Sequence, residues 1–454
     1  MSHAPLHPTW SSRIGFLLAA IGAAVGLGNI WKFPYMAGTQ GGGAFVLIYL
    51  ATIFAIAIPV AAAELFMGRS GGGNVVHSTR QLLKKHRRGD HWHIIGSVAL
   101  PASFLIMTFY AVIAGWVLAY IWRTVSGQLA DVTAQTSGRT LDALLASPAE
   151  MIFWQAAFLA LVGVVLAREL RSGLERANLI MMPLLFFMLV LIAGYGLVAG
   201  DFAGALRFLF VPDFAQLSPQ VLIAAIGHGF FSVGVGAAIL LTYGAYLNDR
   251  SNLFTTAALI GLADTVIALL AGIGIFSIVF SQSLDPAGGP GLIFTTLPIA
   301  FAQLPGGQFF AFIFFVLLLF AAWTSALSLT EVVVAWLHEE WRIARPRAVA
   351  LTLSAIFLVG LLSVFSFNLA SEWRVPGFGD RILFDVKDYI ASNILLLLGG
   401  LLMILFTSWA LPAEASRRDM GDGIGHFLWF WLARTLAPAG ILAVAAWTLF
   451  GPGL

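Results

Sequence analysis

The sequence predicts an all-α integral membrane protein of eleven crossings, and three observations carry that prediction. Of its 454 residues 59% are hydrophobic and only 10% are charged, where soluble domains carry about 25% charged residues. The mean hydropathy is +0.91. Finally, the apolar residues fall into long blocks, and a spanning helix needs about 20 mostly apolar residues. The net charge of +2 is too small to suggest a nucleic-acid partner. Cysteine is absent, which excludes disulfides and thiolate metal sites. The first twelve residues are polar and the apolar block after them is too long for a signal-peptide core, so no cleavable signal is expected.

The blocks run over residues 13–37, 43–68, 93–122, 151–167, 177–199, 219–246, 253–281, 307–337, 347–366, 388–411 and 427–450. With the N-terminus inside, sixteen of the Lys and Arg residues flank the inner ends and seven the outer ends, while Arg434 falls within the last block. That bias predicts a cytoplasmic N-terminus and an outer C-terminus, and the expected location is the cell's inner (plasma) membrane. No low-complexity linker interrupts residues 1–454, which reads as a single transporter-like domain. The long outer connections are punctuated by Pro and Gly, and 292–304 reads as a helical hairpin over the outer mouth.

Two blocks contain nearly the same interruption: Val25-Gly26-Leu27-Gly28-Asn29 in the first and Val233-Gly234-Val235-Gly236-Ala237 in the sixth. One such glycine pair often does no more than permit close helix packing. Recurrence five helices apart instead points to a binding site built between repeats. Unwound backbone is tolerated at membrane depth only where it lines a cavity. Its carbonyls suit a hard cation, and the N-terminus of a half-helix suits a carboxylate.

These residues resemble the neurotransmitter:sodium symporter family. Gly22-Ala23-Ala24-Val25-Gly26-Leu27-Gly28-Asn29-Ile30-Trp31-Lys32-Phe33-Pro34-Tyr35 matches its first-helix signature, and Gly41–Phe45, Glu64–Arg69, Gly227–Ser232, Thr324-Ser325 and Ser392–Leu395 extend the match along the chain. The resemblance implies the leucine-transporter fold, eleven-helix type. Helices 1–5 (about 13–199) and 6–10 (about 219–411) would form inverted repeats, helices 1 and 6 would be broken, and 427–450 would be an additional helix. It implies sodium-driven import of a neutral, hydrophobic or aromatic L-amino acid by alternating access.

By resemblance, two sodium sites are expected. The first would use Ala24, Asn29, Ser232 and Asp264, and the second Gly22, Val25, Ala321, Thr324 and Ser325. Both are all-oxygen sets, as hard cations prefer. The substrate pocket would include Ala24, Gly26, Leu27, Ile106, Tyr110, Phe231, Ser232, Gly234, Ala237, Ser325, Ser328 and Leu329, with Phe231 as lid. Small Gly234 and Ala237 leave room for a large side chain. Lys32 and Asp388 resemble an outer gate pair; Trp10, Tyr246 and Glu339 resemble the inner gate region, with His7 where an arginine is expected. Gly173 and Pro183 carry a spacing that bacterial relatives associate with opening a water path in helix five. Chloride-dependent relatives have asparagine where Asp264 stands, so no chloride requirement is implied.

Buried charges need separate readings. Glu64 either satisfies amides at the helix-one break or acts in function; Glu331 lies near the ion hydroxyls or faces an inner path. Arg434 reads as a snorkelling side chain, and His228 as a hydrogen-bonding group. Rival readings are a carrier of another zwitterion or osmolyte, a sodium or amino-acid sensor on the same fold, and a membrane enzyme. Gly26 argues against an amine substrate, since amine carriers have aspartate there. No HExxH motif and no carboxylate pair in a shared cavity support an enzyme. The expected partners are the amino acid and the bilayer.

Overall fold

The computed structural model describes residues 9–247, 251–287, 291–421 and 423–450. The first crossing, α1, is a pair of helices, Arg13–Ala24 and Gly28–Thr39, bent by 47°. There follow α2 (Gly43–Gly71), α3 (Asp90–Val125), α4 (Pro148–Leu166) and α5 (Arg171–Ala199). The sixth crossing, α6, is again in two pieces, Pro219–Val233 and Ile239–Ala245. The series ends with α7 (Leu253–Ser281), α8 (Gly307–Glu340), α9 (Arg345–Phe365), α10 (Leu383–Ala410) and α11 (Ile424–Thr448). Among the described residues, nine of these helices are long and apolar enough to cross a membrane. Among the described residues α1 and α6 are interrupted where the glycine motifs predict, and α11 is interrupted once at Thr435.

Capping chemistry fixes several boundaries where the sequence places them. Ser12 accepts a hydrogen bond from Gly15 N at 3.0 Å and Asn252 one from Thr255 N at 3.0 Å; Ser218 does the same for Val221 N, with Pro219 in the first turn. Such caps satisfy amides that have no partner inside the helix. Other boundaries lie outside the predicted ones. The fifth helix begins at Arg171, not 177, through a widened turn Arg171–Glu175, and the tenth begins at Leu383, not 388. The extra turn of the fifth helix is polar and that of the tenth carries Asp385 and Lys387, so a hydropathy reading stops short of both. The outer segment 292–304 is one short helix, Leu292–Gln303, and not a hairpin. Tyr120 OH donates to Phe294 O at 2.8 Å and Ser137 Oγ to Thr295 O at 2.6 Å, docking it onto its neighbours.

The break in α6 takes a backbone that side chains resist. Gly234, Gly236 and Ala238 all have positive φ, at 70°, 94° and 58°, a region glycine enters freely and alanine does not. Two buried side chains hold it there. Glu64 Oε1 accepts from Gly236 N at 2.5 Å and Ser103 Oγ donates to Ala237 O at 2.6 Å. Of the two readings of Glu64, the geometry supports amide satisfaction, at the break of α6 and not of α1.

Candidate functional site

The two breaks face one another across a cavity, whose lining includes Ala24, Gly26, Leu27, Ile106, Tyr110, Phe231, Ser232, Gly234, Ala237, Ser325 and Leu329. These are the predicted pocket residues with one exception. Ser328 turns away: its Oγ lies 2.6 Å from Tyr243 OH and donates to Thr324 O at 3.0 Å, because its helical position points it toward the second piece of α6. Ala23, Gly28, Ile239 and Leu396 complete the lining, and sequence reading missed them. Tyr110 OH accepts from Leu27 N at 3.3 Å, within the break in α1. A Cβ on Gly26 would strike Ser325 Oγ and approach Tyr110 OH, so the close approach of α1, α3 and α8 requires glycine. The lining holds no charged side chain.

At one end of the cavity lies a buried polar cluster. Asn29 Nδ2 donates to Asp264 Oδ1 at 2.7 Å, to Asp264 O at 3.1 Å and to Ser232 Oγ at 3.2 Å. Ser232 Oγ donates to Asp264 Oδ2 at 2.7 Å. Tyr49 OH donates to the same oxygen at 3.3 Å. Asn29 Oδ1 accepts from Gly26 N at 3.0 Å, and an amide oxygen has a second lone pair that a cation can share. Tyr49 was missed: a single tyrosine in an apolar span gives no sequence signal of a partner 215 residues away.

A second cluster joins α8 to the end of the first half of α1. Thr324 Oγ1 is 3.1 Å from Ala321 O and 3.4 Å from Val25 O; Ser325 Oγ is 3.1 Å from Val25 O and 3.3 Å from Ala23 O. Predicted Val25, Ala321, Thr324 and Ser325 thus come together. Gly22 packs under α5, where a Cβ would strike Asn178 and Met182.

On the side of Lys32, its Nζ lies 3.7 Å from Asp388 Oδ2 and 4.0 Å from the Phe231 ring centroid, linking the predicted gate pair to the predicted lid. His228 packs against Phe33, Phe45 and Tyr49. Both of its nitrogens lack a hydrogen-bond partner among the described residues, which corrects the hydrogen-bonding role expected for it.

At the opposite end, Trp10 Nε1 donates to Tyr243 O at 3.0 Å and Trp10 N to Tyr246 O at 3.2 Å. Tyr246 OH donates to Glu331 Oε1 at 3.0 Å. Arg345 grips the same carboxylate with both terminal nitrogens. Glu339 accepts from Asn74 N and Nδ2 at 2.6 and 2.7 Å. Ser11 N and Oγ both donate to Glu175 on α5. Neither Glu175 nor Arg345 was singled out, since each reads as an ordinary flanking charge; His7 lies outside the described residues. Gly173 sits in the first, widened turn of α5 and Pro183 inside its helix. Arg434 does not snorkel: its Nε caps Ser408 O at 2.7 Å, with the guanidinium over Phe430.

Comparison with known proteins adds an independent line. Residues 7–140 and 145–450 match the profile of the sodium:neurotransmitter symporter family. A sodium-dependent transporter of Bacillus subtilis, YhdH, is 36% identical over 96% of each chain, and one of Haemophilus influenzae is 35% identical over 97% of this chain and 98% of its own. The bovine sodium-dependent dopamine transporter is 28% identical over 88% of this chain. The crystal structure of MhsT in complex with L-phenylalanine superposes with a TM-score of 0.89 at 39% identity, covering 96% of this chain and 99% of MhsT.

Proposed function

Because the chain belongs to the sodium:neurotransmitter symporter family, as a sodium-dependent symporter with the leucine-transporter fold, we propose that it imports a neutral, hydrophobic or aromatic L-amino acid without needing chloride. The observation that carries this reading is the cavity between the two breaks. It is walled by Ile106, Phe231, Ile239, Leu329 and Leu396, yet offers the Tyr110 hydroxyl and the backbone of Gly26 and Leu27 at one edge. A zwitterion fits that division: carboxylate at the α1 break, side chain against apolar walls, where burial is worth about 25 cal/mol per Å². The L-phenylalanine complex of MhsT supports the same substrate class.

In this reading Asn29, Ser232, Asp264 and the Ala24 carbonyl hold one sodium ion. Thr324, Ser325 and the carbonyls of Gly22, Val25 and Ala321 hold a second. The donor sets are oxygen throughout, as a hard cation requires. Lys32, Asp388 and Phe231 close the outer side; Trp10, Tyr246 and Glu339 lie at the inner one, with a cytoplasmic N-terminus and an outer C-terminus in the plasma membrane. The test is sodium-driven uptake in proteoliposomes with competing amino acids. Leucine, tryptophan or tyrosine should compete strongly; stronger competition by glycine or lysine overturns the assignment.

A further inference from the structure

A second concavity shares no residue with the central cavity. It runs between α3, α8 and α9 on the face of the bundle nearest the helix Val75–His86, and Leu100, Phe104, Val333, Trp336, Leu351 and Ala355 form much of its wall. We propose that this groove binds one anionic phospholipid of the surrounding membrane, with acyl chain in the groove and phosphate at its basic rim.

Apolar walls alone would accept any lipid tail. Three further features select a headgroup. Thr352, buried in the floor, has a hydroxyl without a hydrogen-bond partner among the described residues. Pro101, also in the lining, has no N–H, so the Ser97 carbonyl one turn earlier loses its helical donor. Such groups against hydrocarbon call for a polar ligand, and the glycerol region of a phospholipid supplies both donors and acceptors. The third feature is charge at the rim. Val76 lines the groove, and Arg80 and Lys84 follow it at four-residue steps on the same helix face. Arg347 stands one turn before Leu351 on α9. Arg80 is held by Glu340 at 3.2 Å; Lys84 and Arg347 are exposed and have no ion-pair partner among the described residues. The lining contains no Asp or Glu. Trp341, exposed beside Trp336 with ring centroids 6.0 Å apart, suits the headgroup level, where tryptophan concentrates. Two exposed cations on helices that border an apolar slot favour a phosphate whose headgroup brings no cation of its own.

The test is native mass spectrometry and thermal unfolding of the purified full chain with added phosphatidylglycerol or phosphatidylcholine. Wild type should retain one phosphatidylglycerol at concentrations lower by on the order of tenfold, the scale of two basic side chains near an anionic lipid. Lys84→Gln with Arg347→Gln changes only exposed side chains and should level the two lipids. Ala355→Trp, which fills the groove, should abolish retention while sodium-driven uptake in phosphatidylcholine liposomes continues. Equal retention of both lipids by wild type, undiminished retention by Ala355→Trp, or equal stabilisation by inorganic phosphate overturns the proposal.

Discussion

Arg345 and Glu331 form a two-pronged ion pair in which NH1 lies 2.9 Å from Oε1 and NH2 2.7 Å from Oε2, with the Glu331 side chain fully buried. Tyr246 donates to the same carboxylate, and its carbonyl takes the Trp10 amide. The pair thus ties α8 and α9 to the second half of α6 and, through it, to the N-terminal segment. Removing one partner of a buried pair leaves an uncompensated charge and costs about 3–5 kcal/mol. Arg345→Gln should therefore lower the melting temperature markedly. Glu331→Gln with Arg345→Gln should recover part of the loss. A single variant as stable as wild type would show that the pair is not holding this end closed.

Asn29, at the start of the second piece of α1, reaches both Ser232 and Asp264 with contacts of 2.7–3.2 Å. Asn29→Ala strips one ligand from the proposed first sodium site and leaves the Asp264 carboxylate one donor short. Sodium-driven uptake should fall at least about tenfold, since a hydrogen bond to a charged group is worth about 1.5–3 kcal/mol. Uptake at the wild-type rate would remove Asn29 from the ion site.

How much of this was legible follows from the kind of signal each residue carries. The broken crossings were readable because glycine pairs recur at Gly26/Gly28 and Gly234/Gly236, and the observed positive φ of the second pair shows why glycine is needed. Asn29, Asp264, Thr324 and Ser325 were readable only through the family resemblance. What was not readable depends on distant pairing. Tyr49 meets Asp264 across 215 residues and Ser103 meets Ala237 across 134. Arg345 reaches Glu331 only because the chain reverses between α8 and α9, with Arg342 at φ 54°. Ser328 lies one turn after Thr324 and Ser325 on the same side of α8, yet its hydroxyl is held by Tyr243 and the Thr324 carbonyl, contacts that the sequence does not announce.

Helix α5 should loosen when sodium is withdrawn. Its first turn is wound here: Gly173 N donates to Glu169 O at 2.7 Å, and Glu175 holds Ser11. Glycine weakens that turn and Pro183 removes a hydrogen bond two turns further on, so the stretch between them is the least secured part of the helix. Amide exchange over residues 170–183 should rise without sodium and fall when it is restored. Identical protection in both conditions would count against a gating role for this helix.

Lys387 is a buried lysine whose Nζ donates to Val359 O at 2.7 Å and to Ser363 Oγ at 3.0 Å on α9. The next residue, Asp388, faces Lys32 on α1. The first turn of α10 thus bridges α9 and the outer gate. Lys387→Met keeps length but removes both hydrogen bonds, so Asp388 should meet Lys32 less often. The chain has no native cysteine, so a single cysteine at Ile106 can report access to the cavity. Its labelling by a water-soluble reagent should quicken about tenfold, the scale of a charge-assisted bond, and Lys387→Arg should largely restore protection. Unchanged labelling in Lys387→Met would separate Lys387 from the gate.

Asp264 should make transport independent of chloride. Its carboxylate is fully buried and accepts from Asn29, Ser232 and Tyr49, and no ion pair involves it among the described residues. Two sodium ions and a zwitterion would leave excess positive charge in a low-dielectric site, where uncompensated charge is expensive. A fixed carboxylate beside the first ion removes that excess; a neutral amide at the same place would need an anion from solution. Wild type should therefore transport equally in gluconate and chloride. Asp264→Asn should be impaired at least about tenfold in gluconate, a loss of about 1.4 kcal/mol, and partly restored by chloride. An inert role, in which the aspartate only satisfies nearby hydroxyls, predicts a different result. The asparagine would keep the hydrogen-bonding shape, and uptake would be full and insensitive to the anion. That outcome would remove Asp264 from the coupling mechanism.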